Sequence, residues 1–396
     1  MYCCGIDIAK YKHEATVIDE SGKALLDSIS FSNSKEGCEK LLELFDRFGV
    51  SKETLLIGME ATGHYWLSLY SYLTELGFDV KVINPIQSEA FRKMYIRQTK
   101  NDRKDSFIIA QIMRFGQFST TKLSEEVIIS LRQLSRYRLA LVDSCGDCKR
   151  RIISLLDQVF PEYAALFSDT FGVTSKEILS QYPTPEDMLT VSTRKLTNLL
   201  SKASRGRFGK EKAVQLKAVA AGSFGVSFAK EAFAFQIKQL IEQLEFLEEQ
   251  IEELEEHISV LLKQTGSYIT TIPGIGDTLG AIILSEIGDI RRFDAPGKLV
   301  AFAGLDVKVN QSGEFTGTKQ KISKRGSPYL RRAIWLAASR AAFCDPILSE
   351  YYHSLRARGK HHLTAIGAVS RKLCNIIFAI LTENRPYEAS PPKPRF

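Results

Sequence analysis

The feature that most restricts this chain is a heptad seam. Ile237, Leu240, Leu244, Leu247, Ile251, Leu254, Ile258 and Leu261 follow one another at alternating three- and four-residue steps, without a break and among many glutamates. Such a run specifies a long amphipathic helix that must lay its apolar stripe against another helix. Two kinds of partner are open. Ile and Leu at the a positions with Leu at every d position suit a parallel dimer. An earlier segment, Leu131 to Phe160, carries Leu134, Leu141, Cys145, Cys148, Ile152, Leu155 and Val159 at similar spacing, interrupted only by Arg138, and offers an antiparallel partner within the chain. A helical arm that also builds an oligomer interface is the expectation; a plain core bundle is the bland alternative, because amphipathic helices are common.

At 396 residues the chain is long for one core, so two or three domains are expected. A formal net charge of +7 permits a polyanionic partner without requiring one. Seven scattered cysteines do not form a disulfide framework, which points to a reducing cytoplasm. Cys145-Gly-Asp-Cys148 is a lone CxxC with no second pair, and its spacing equally fits the buried side of a helix. No apolar run is read as the roughly twenty residues of a membrane span, and the N-terminus lacks the order of a signal peptide. A soluble protein, without a membrane partner, is expected.

The first third reads as α/β. Cys3 to Ala9, His13 to Asp19 and Ala24 to Phe31 look like three strands, the last two joined by a Glu20-Ser21-Gly22 turn. A helix from Ser34 to Phe48, a strand from Leu55 to Met59, a helix from His64 to Leu76 and a strand from Val80 to Ile83 follow. In the order βββαβαβα, a sheet covered on both faces would place Asp7 centrally and Glu60 at the end of a neighbouring strand.

Asp7 and Glu60 each lie in or at the end of an apolar run, where an unpaired charge is costly without a cation or hydrogen bonds. A third group sits in Thr99-Lys100-Asn101-Asp102-Arg103-Lys104-Asp105. If Asn101 caps a helix, Asp102 and Asp105 fall three apart in its first turn and project from one face. Alone, that pair is explained by the helix macrodipole. Together, the four carboxylates could converge on a divalent metal.

After Pro161 comes an irregular helical insert with a basic segment from Ser201 to Lys212. Beyond Gly266, Pro273-Gly274-Ile275-Gly276 has the look of a helix-hairpin-helix turn, in which Gly274 and Gly276 would expose backbone N–H groups to a phosphate; a plain connector is the alternative. The stretch with Lys319, Lys321, Lys324, Arg325, Arg331 and Arg332 is dense in cations with almost no acid, as expected of a phosphate-binding surface. Ser312 precedes a glycine at a predicted turn, which taken alone is an ordinary turn serine.

Gly5-Ile6-Asp7-Ile8-Ala9-Lys10, Met59-Glu60-Ala61-Thr62-Gly63 and Lys100-Asn101-Asp102-Arg103-Lys104-Asp105 resemble the RNase H-like fold of RuvC-type resolvases. With Pro273-Gly274-Ile275-Gly276, Ala303-Gly304-Leu305-Asp306, Asn310-Gln311-Ser312-Gly313 and Ile322-Ser323-Lys324-Arg325-Gly326, nearly the whole chain resembles the insertion-sequence transposases of the DEDD type. The resemblance implies an α/β plus all-α chain: a RuvC-like domain over 1–125, a coiled-coil arm over 126–265 with an insert at about 161–225, and a C-terminal, mainly helical transposase domain over 266–396. It implies Asp7, Glu60, Asp102 and Asp105 as ligands of Mg2+ or Mn2+ and Ser312 as the nucleophile on the scissile phosphate. Its implied partners are donor and target DNA, a structured non-coding guide RNA that pairs with both, and further copies of the chain, as a dimer or a tetramer, acting in the cytoplasm at the nucleoid. A metal-dependent, structure-selective nuclease with water as nucleophile is the other enzymatic reading, and a nucleic-acid scaffold with a vestigial acid cluster the non-enzymatic one.

Overall fold

The computed structural model describes residues 1–61, 63–83, 88–89, 91, 102–116, 126–307, 311–312, 315–316 and 321–389; the side chains of Asp102, Arg103, Gln311, Ser312, Phe315 and Thr316 lie outside that description. The chain divides into two compact units, Met1–Leu123 and Ser124–Phe396.

The first unit runs β1 (Tyr2–Asp7), β2 (Lys12–Ile18), β3 (Ala24–Ser32), α1 (Lys35–Arg47), β4 (Leu55–Glu60), α2 (Trp66–Glu75), β5 (Asp79–Ile83) and α3 (Asp102–Phe115). The sheet order is β3-β2-β1-β4-β5. β1 pairs antiparallel with β2 and parallel with β4, and β4 pairs parallel with β5, so Asp7 ends the central strand and Glu60 its neighbour, as expected. Strand alternation sorts the side chains between two cores. Cys4, Ile6, Ile57 and Met59 pack with Leu41 and Phe45 of α1 and Leu69 and Leu73 of α2. The opposite face sends Cys3, Ile18 and Ile83 against Ile108, Ile109 and Met113 of α3. Mixed α/β character with a five-stranded sheet in an otherwise mostly helical protein is consistent with an RNase H-like N-terminal domain.

The second unit is built on two long helices, α4 (Glu126–Val159) and, after a helical insert, α9 (Lys230–Gln264). Arg138 pairs with Glu255 at 2.5 Å and Lys149 with Glu248 at 3.3 Å, so residue numbers rise along one helix as they fall along the other and the pair is antiparallel. The heptad seam therefore finds its partner inside the chain. Ile237, Leu244 and Leu247 enter a core shared with Cys145, Cys148 and Ile152, Ile258 enters a second core, and Ile251 and Leu254 are half-buried between them. The large apolar side chains that stay exposed on α9 are Phe235, Phe246 and Val260. Burial also raises both CxxC thiol pKa values, as the core reading of Cys145 and Cys148 requires.

The insert holds α5 (Val173–Gln181), α6 (Pro185–Thr190), α7 (Thr193–Ala203) and α8 (Lys210–Ala221). Its base is closed where the Val226 amide donates to the Gln158 carbonyl at 2.9 Å. Beyond α9 come α10 (Asp277–Ile287), α11 (Pro296–Phe302), the two-residue strands β6 (Gln311–Ser312) and β7 (Phe315–Thr316), α12 (Pro328–Cys344), α13 (Pro346–Ala357) and α14 (His362–Glu383). Ala333, Ala337, Ala338 and Ala341 keep α12 slender enough to sit between α10 and α14 in one apolar core. One helix, α14 at 22 residues, is long and apolar enough to cross a membrane by length and composition alone, its best 18-residue window having a mean hydropathy of 1.5, although Arg371 and Lys372 interrupt it. Here it spends half of that apolar window inside the core.

Candidate functional site

The acidic face is assembled by strand register. Ile6 pairs with Met59 across the parallel β1–β4 ladder, so Asp7 and Glu60 come next, at the C-terminal ends of adjacent strands and on the same face. Gly5 and Gly58, two residues earlier, mark that face as the one under α3. A Cβ on Gly5 would collide with the Ser106 carbonyl oxygen and the Ala110 nitrogen, and one on Gly58 would lie 2.5 Å from Met113 Cγ. Glycine at both positions lets the helix press onto the sheet, and the Thr16 and Ser106 hydroxyls share a buried hydrogen bond of 2.8 Å that fixes it there. Asp105, one residue before Ser106, is buried at 6% exposure in the first turn of α3. Three of the four expected carboxylates thus belong to one face of the sheet and the helix start above it. Asp102 opens α3, but its side chain, like the Asn101 cap, lies outside the described residues.

Two further groups join this face. The Ser88 hydroxyl donates to Glu60 Oε2 at 2.6 Å. Glu14 stands directly opposite Asp7 in the antiparallel β1–β2 register, which puts its side chain on the same face, and it accepts a hydrogen bond from Ser28. The donor set is all carboxylate oxygen, hard ligands that suit Mg2+ or Mn2+. Among the described residues no three His, Cys, Asp or Glu side chains are gathered closely enough to hold an ion. In donor chemistry and in placement on one face, the residues fit a divalent ion.

The serine lies on a small hairpin: Ser312 of β6 pairs with Phe315 of β7. That hairpin springs from a platform in which Ala303–Asp306 and Ser323–Ser327 are zipped together. The amides of Ser323, Lys324 and Ser327 donate to the carbonyls of Asp306, Gly304 and Phe302 at 2.8, 3.0 and 3.0 Å. Asp306 accepts from the Ser323 hydroxyl and, at 3.1 Å, from Arg325. Burial pushes the Asp306 carboxyl up, but those two hydrogen bonds outweigh it and hold the group below its ordinary range. Beneath the platform, buried Glu286 takes a bidentate pair from Arg136 at 2.6 and 3.0 Å and a hydrogen bond from Ser327 at 2.7 Å.

Both parts of the chain match known proteins. Residues 4–161, which hold all four expected carboxylates, match the DEDD transposase family of IS110 type, and residues 266–353, with Ser312 and its platform, match the family described as Transposase IS116/IS110/IS902. This chain belongs to the IS110 family of DEDD transposases. The uncharacterized 43.6 kDa protein of insertion element IS110 from Streptomyces coelicolor is 24% identical to this transposase over 98% of its length and 96% of the relative's. The pilin gene-inverting protein of Moraxella bovis is also 24% identical, over 97% of both chains. The uncharacterized 42 kDa protein of insertion element IS900 from Mycobacterium paratuberculosis is 25% identical over 97% and 96%. A DNA-processing enzyme acting on DNA substrates is the coarse function these relatives support.

The transposase employs several of its sequence-selected cations internally. Arg325 is paired with Asp306, Arg331 donates to the Ala303 carbonyl at 3.3 Å, and Arg332 pairs with Asp143 at 2.8 Å. Lys321 and Lys324 are exposed, and Lys319 lies outside the described residues. Gly274 has φ +92°, and a Cβ on it would meet the α12 backbone at Ala341 N, 2.8 Å, and Ala337 O, 2.9 Å, so helix packing accounts for it. Gly276 caps α10 in open space, but Asp277 follows it with a carboxylate that opposes an anion at that helix start. Sequence reasoning missed Gly5, Gly58, Glu14 and Ser88. Only the glycines left a signal, as residues without side chains two positions before each strand-end acid.

Proposed function

We propose that this transposase cuts and rejoins DNA strands through a covalent serine–DNA intermediate, with Ser312 as nucleophile and the Asp7, Glu60, Asp102 and Asp105 carboxylates as the holders of a Mg2+ or Mn2+ ion. The observation that carries the reading is the pairing of Asp7 and Glu60 at adjacent parallel strand ends beneath the helix that Asp102 and Asp105 begin. Such an ion, when bound, offsets charge on a phosphoryl oxygen and orients it. The chain's own work is to bring the Asp7, Glu60 and Asp105 carboxylates to one face of the sheet, with Ser88 bonded to Glu60 and the Thr16–Ser106 bond fixing the helix above it. In the step itself the Ser312 Oγ forms a bond to phosphorus as the bond from phosphorus to a deoxyribose oxygen breaks, and the serine proton leaves to solvent or base. The phosphodiester energy is kept in the seryl–DNA ester, so the departing hydroxyl, or that of another strand, can reverse the attack without ATP.

A structured non-coding RNA as guide and assembly into a dimer or tetramer, working in the cytoplasm at the nucleoid, complete the proposal, as the resemblance implies. Phe235, Phe246 and Val260 follow one another at 11 and 14 residues, close to whole turns of α9, and form the apolar stripe such an assembly would use. The second reading, hydrolysis by a metal-dependent nuclease, differs in one product. Denaturing gels of the protein with labelled DNA and Mg2+ decide between them. Ser312→Ala should abolish the covalent adduct and lower strand transfer by at least about a thousandfold, with DNA binding retained. Asp105→Asn should eliminate cleavage in a folded protein. An adduct formed by the Ser312→Ala protein, or cleavage without any adduct in the unaltered one, overturns the serine mechanism.

A further inference from the structure

The insert carries a charge that strand cleavage by Ser312 and the carboxylates does not use. From Thr193 to Lys217 there are eight lysines and arginines and one acid, Glu211, so this stretch alone holds the +7 to which the whole chain sums. It folds as α7, a turn and α8. Leu196, Leu200, Ala213 and Leu216 face the core. Arg194, Lys195, Lys202, Arg205, Arg207 and Lys210 are exposed. Two half-buried cations are engaged by backbone carbonyls: Lys212 Nζ donates to that of Leu166, and Lys217 Nζ to that of Leu189 at 2.9 Å. Among the described residues, the ion pairs of this region fall elsewhere, on Lys149, Lys176 and Lys230. The acids that could neutralise the hairpin are concentrated on the arm, where residues 242–256 of α9 hold eight glutamates and no cation.

Two observations say what this surface takes. Arg205 and Arg207 border a cleft of about 320 Å³ that is also lined by Ser168, Thr174, Ser204 and one acid, Asp169, whose carboxylate accepts from the Phe171 amide, so two guanidinium groups and several hydroxyls face a single carboxylate in one concavity. The neighbouring aromatic ring is not presented for stacking: Phe208 meets Phe167 edge-on, and Lys212 lies over both rings. Cations and hydroxyls without a free aromatic platform suit the phosphates of a duplex rather than unpaired bases. We propose that the α7–α8 hairpin binds the phosphate backbone of duplex DNA, independently of sequence. The proposal rests on the reading of the chain as an enzyme of DNA, which selects DNA over an RNA duplex. α7 spans about 16 Å, enough to follow several successive phosphates along one strand.

The test is fluorescence anisotropy of the full-length protein with two DNA duplexes of unrelated sequence, about 25 base pairs each, and one RNA duplex, over a salt series. Replacing Lys195, Lys202, Arg205 and Arg207 together by Gln should weaken binding to both DNAs equally, by about tenfold or more at low salt. It should also flatten the slope of log affinity against log salt by about 0.9 for each phosphate that is no longer neutralised. Circular dichroism and unfolding should not change, because all four side chains are exposed, and Lys at both arginine positions should keep most of the binding. An unchanged slope overturns the proposal, and a weakening confined to the RNA duplex reassigns the surface to RNA. If the unaltered protein binds no duplex DNA, the DNA-enzyme reading falls with it. If the unaltered protein binds DNA and the hairpin variant binds it equally well, that reading stands and the hairpin assignment alone is overturned.

Discussion

The acidic face and the serine loop are positioned by opposite means. Asp7, Glu60 and Asp105 owe their places to close packing: two glycines remove the side chains that would keep α3 off the sheet, and the carboxylates follow from strand register. The platform below Ser312 owes its shape to a polar network, with Asp306 tying Ser323 and Arg325 and buried Glu286 tying Arg136 and Ser327. The first arrangement is sensitive to a methyl group. The second is sensitive to charge. One chain can therefore lose each part of its chemistry by a separate kind of damage.

The largest effect should come from Gly5→Ala. The colliding atoms at Gly5 belong to the α3 backbone and cannot rotate away, so α3 must shift, at a cost of about 3 kcal/mol, and metal-dependent cleavage should fall with it. Urea unfolding and a cleavage assay measure both. Gly58→Ala meets the flexible Met113 side chain instead and should cost about 1 kcal/mol; equal costs at the two positions would break the packing account.

On the other side, Glu286→Ala removes a buried carboxylate and leaves Arg136 and Ser327 without it, for an expected loss of about 2 to 3 kcal/mol with the acidic face intact. Asp306→Asn should cost about 1 kcal/mol, less because Arg325 is exposed. Because the Asp306 carboxyl is held below its ordinary value of 3.8, its stabilisation is complete above that pH and is lost as pH falls beneath it. Protection factors at Ser323 and Lys324, that is, amide exchange corrected for its intrinsic pH dependence, should therefore fall below about pH 4 in the native protein and stay flat there in Asp306→Asn. Unchanged protection through that range would count against the polar account.

The same contrast explains what could be read from the sequence. Asp7 and Glu60 were legible because each ends an apolar run, and α3 because Asp102 and Asp105 open a helical pattern. Glu14 was not, since its place opposite Asp7 depends on hairpin register, which one strand does not disclose. The seam of α9 announced a partner helix but not which one; that was settled by pairs such as Arg138–Glu255. The charge density of the basic stretch near Ser312 was visible in sequence, but which of its cations take partners within the chain was not. Arg332 is paired with Asp143, 189 positions away. Gly274 looked like part of a phosphate-binding turn for the same reason, its packing partner being the remote α12.

The closed base of the insert has a further consequence. The chain leaves α4 and returns toward α9 through a neck where Val226 bonds to Gln158 and Gly225 lies against the Val159 carbonyl. Everything from Pro161 to Ser223 therefore leaves and rejoins the chain at one point, yet it is no free appendage: Leu179, Leu196 and Leu216 share one core with Ile237, Ile241 and Leu244 of α9, and Lys176 pairs with Glu248. Trimming the insert would strip the cover from that end of the arm, so insert and arm are expected to melt as a single unit.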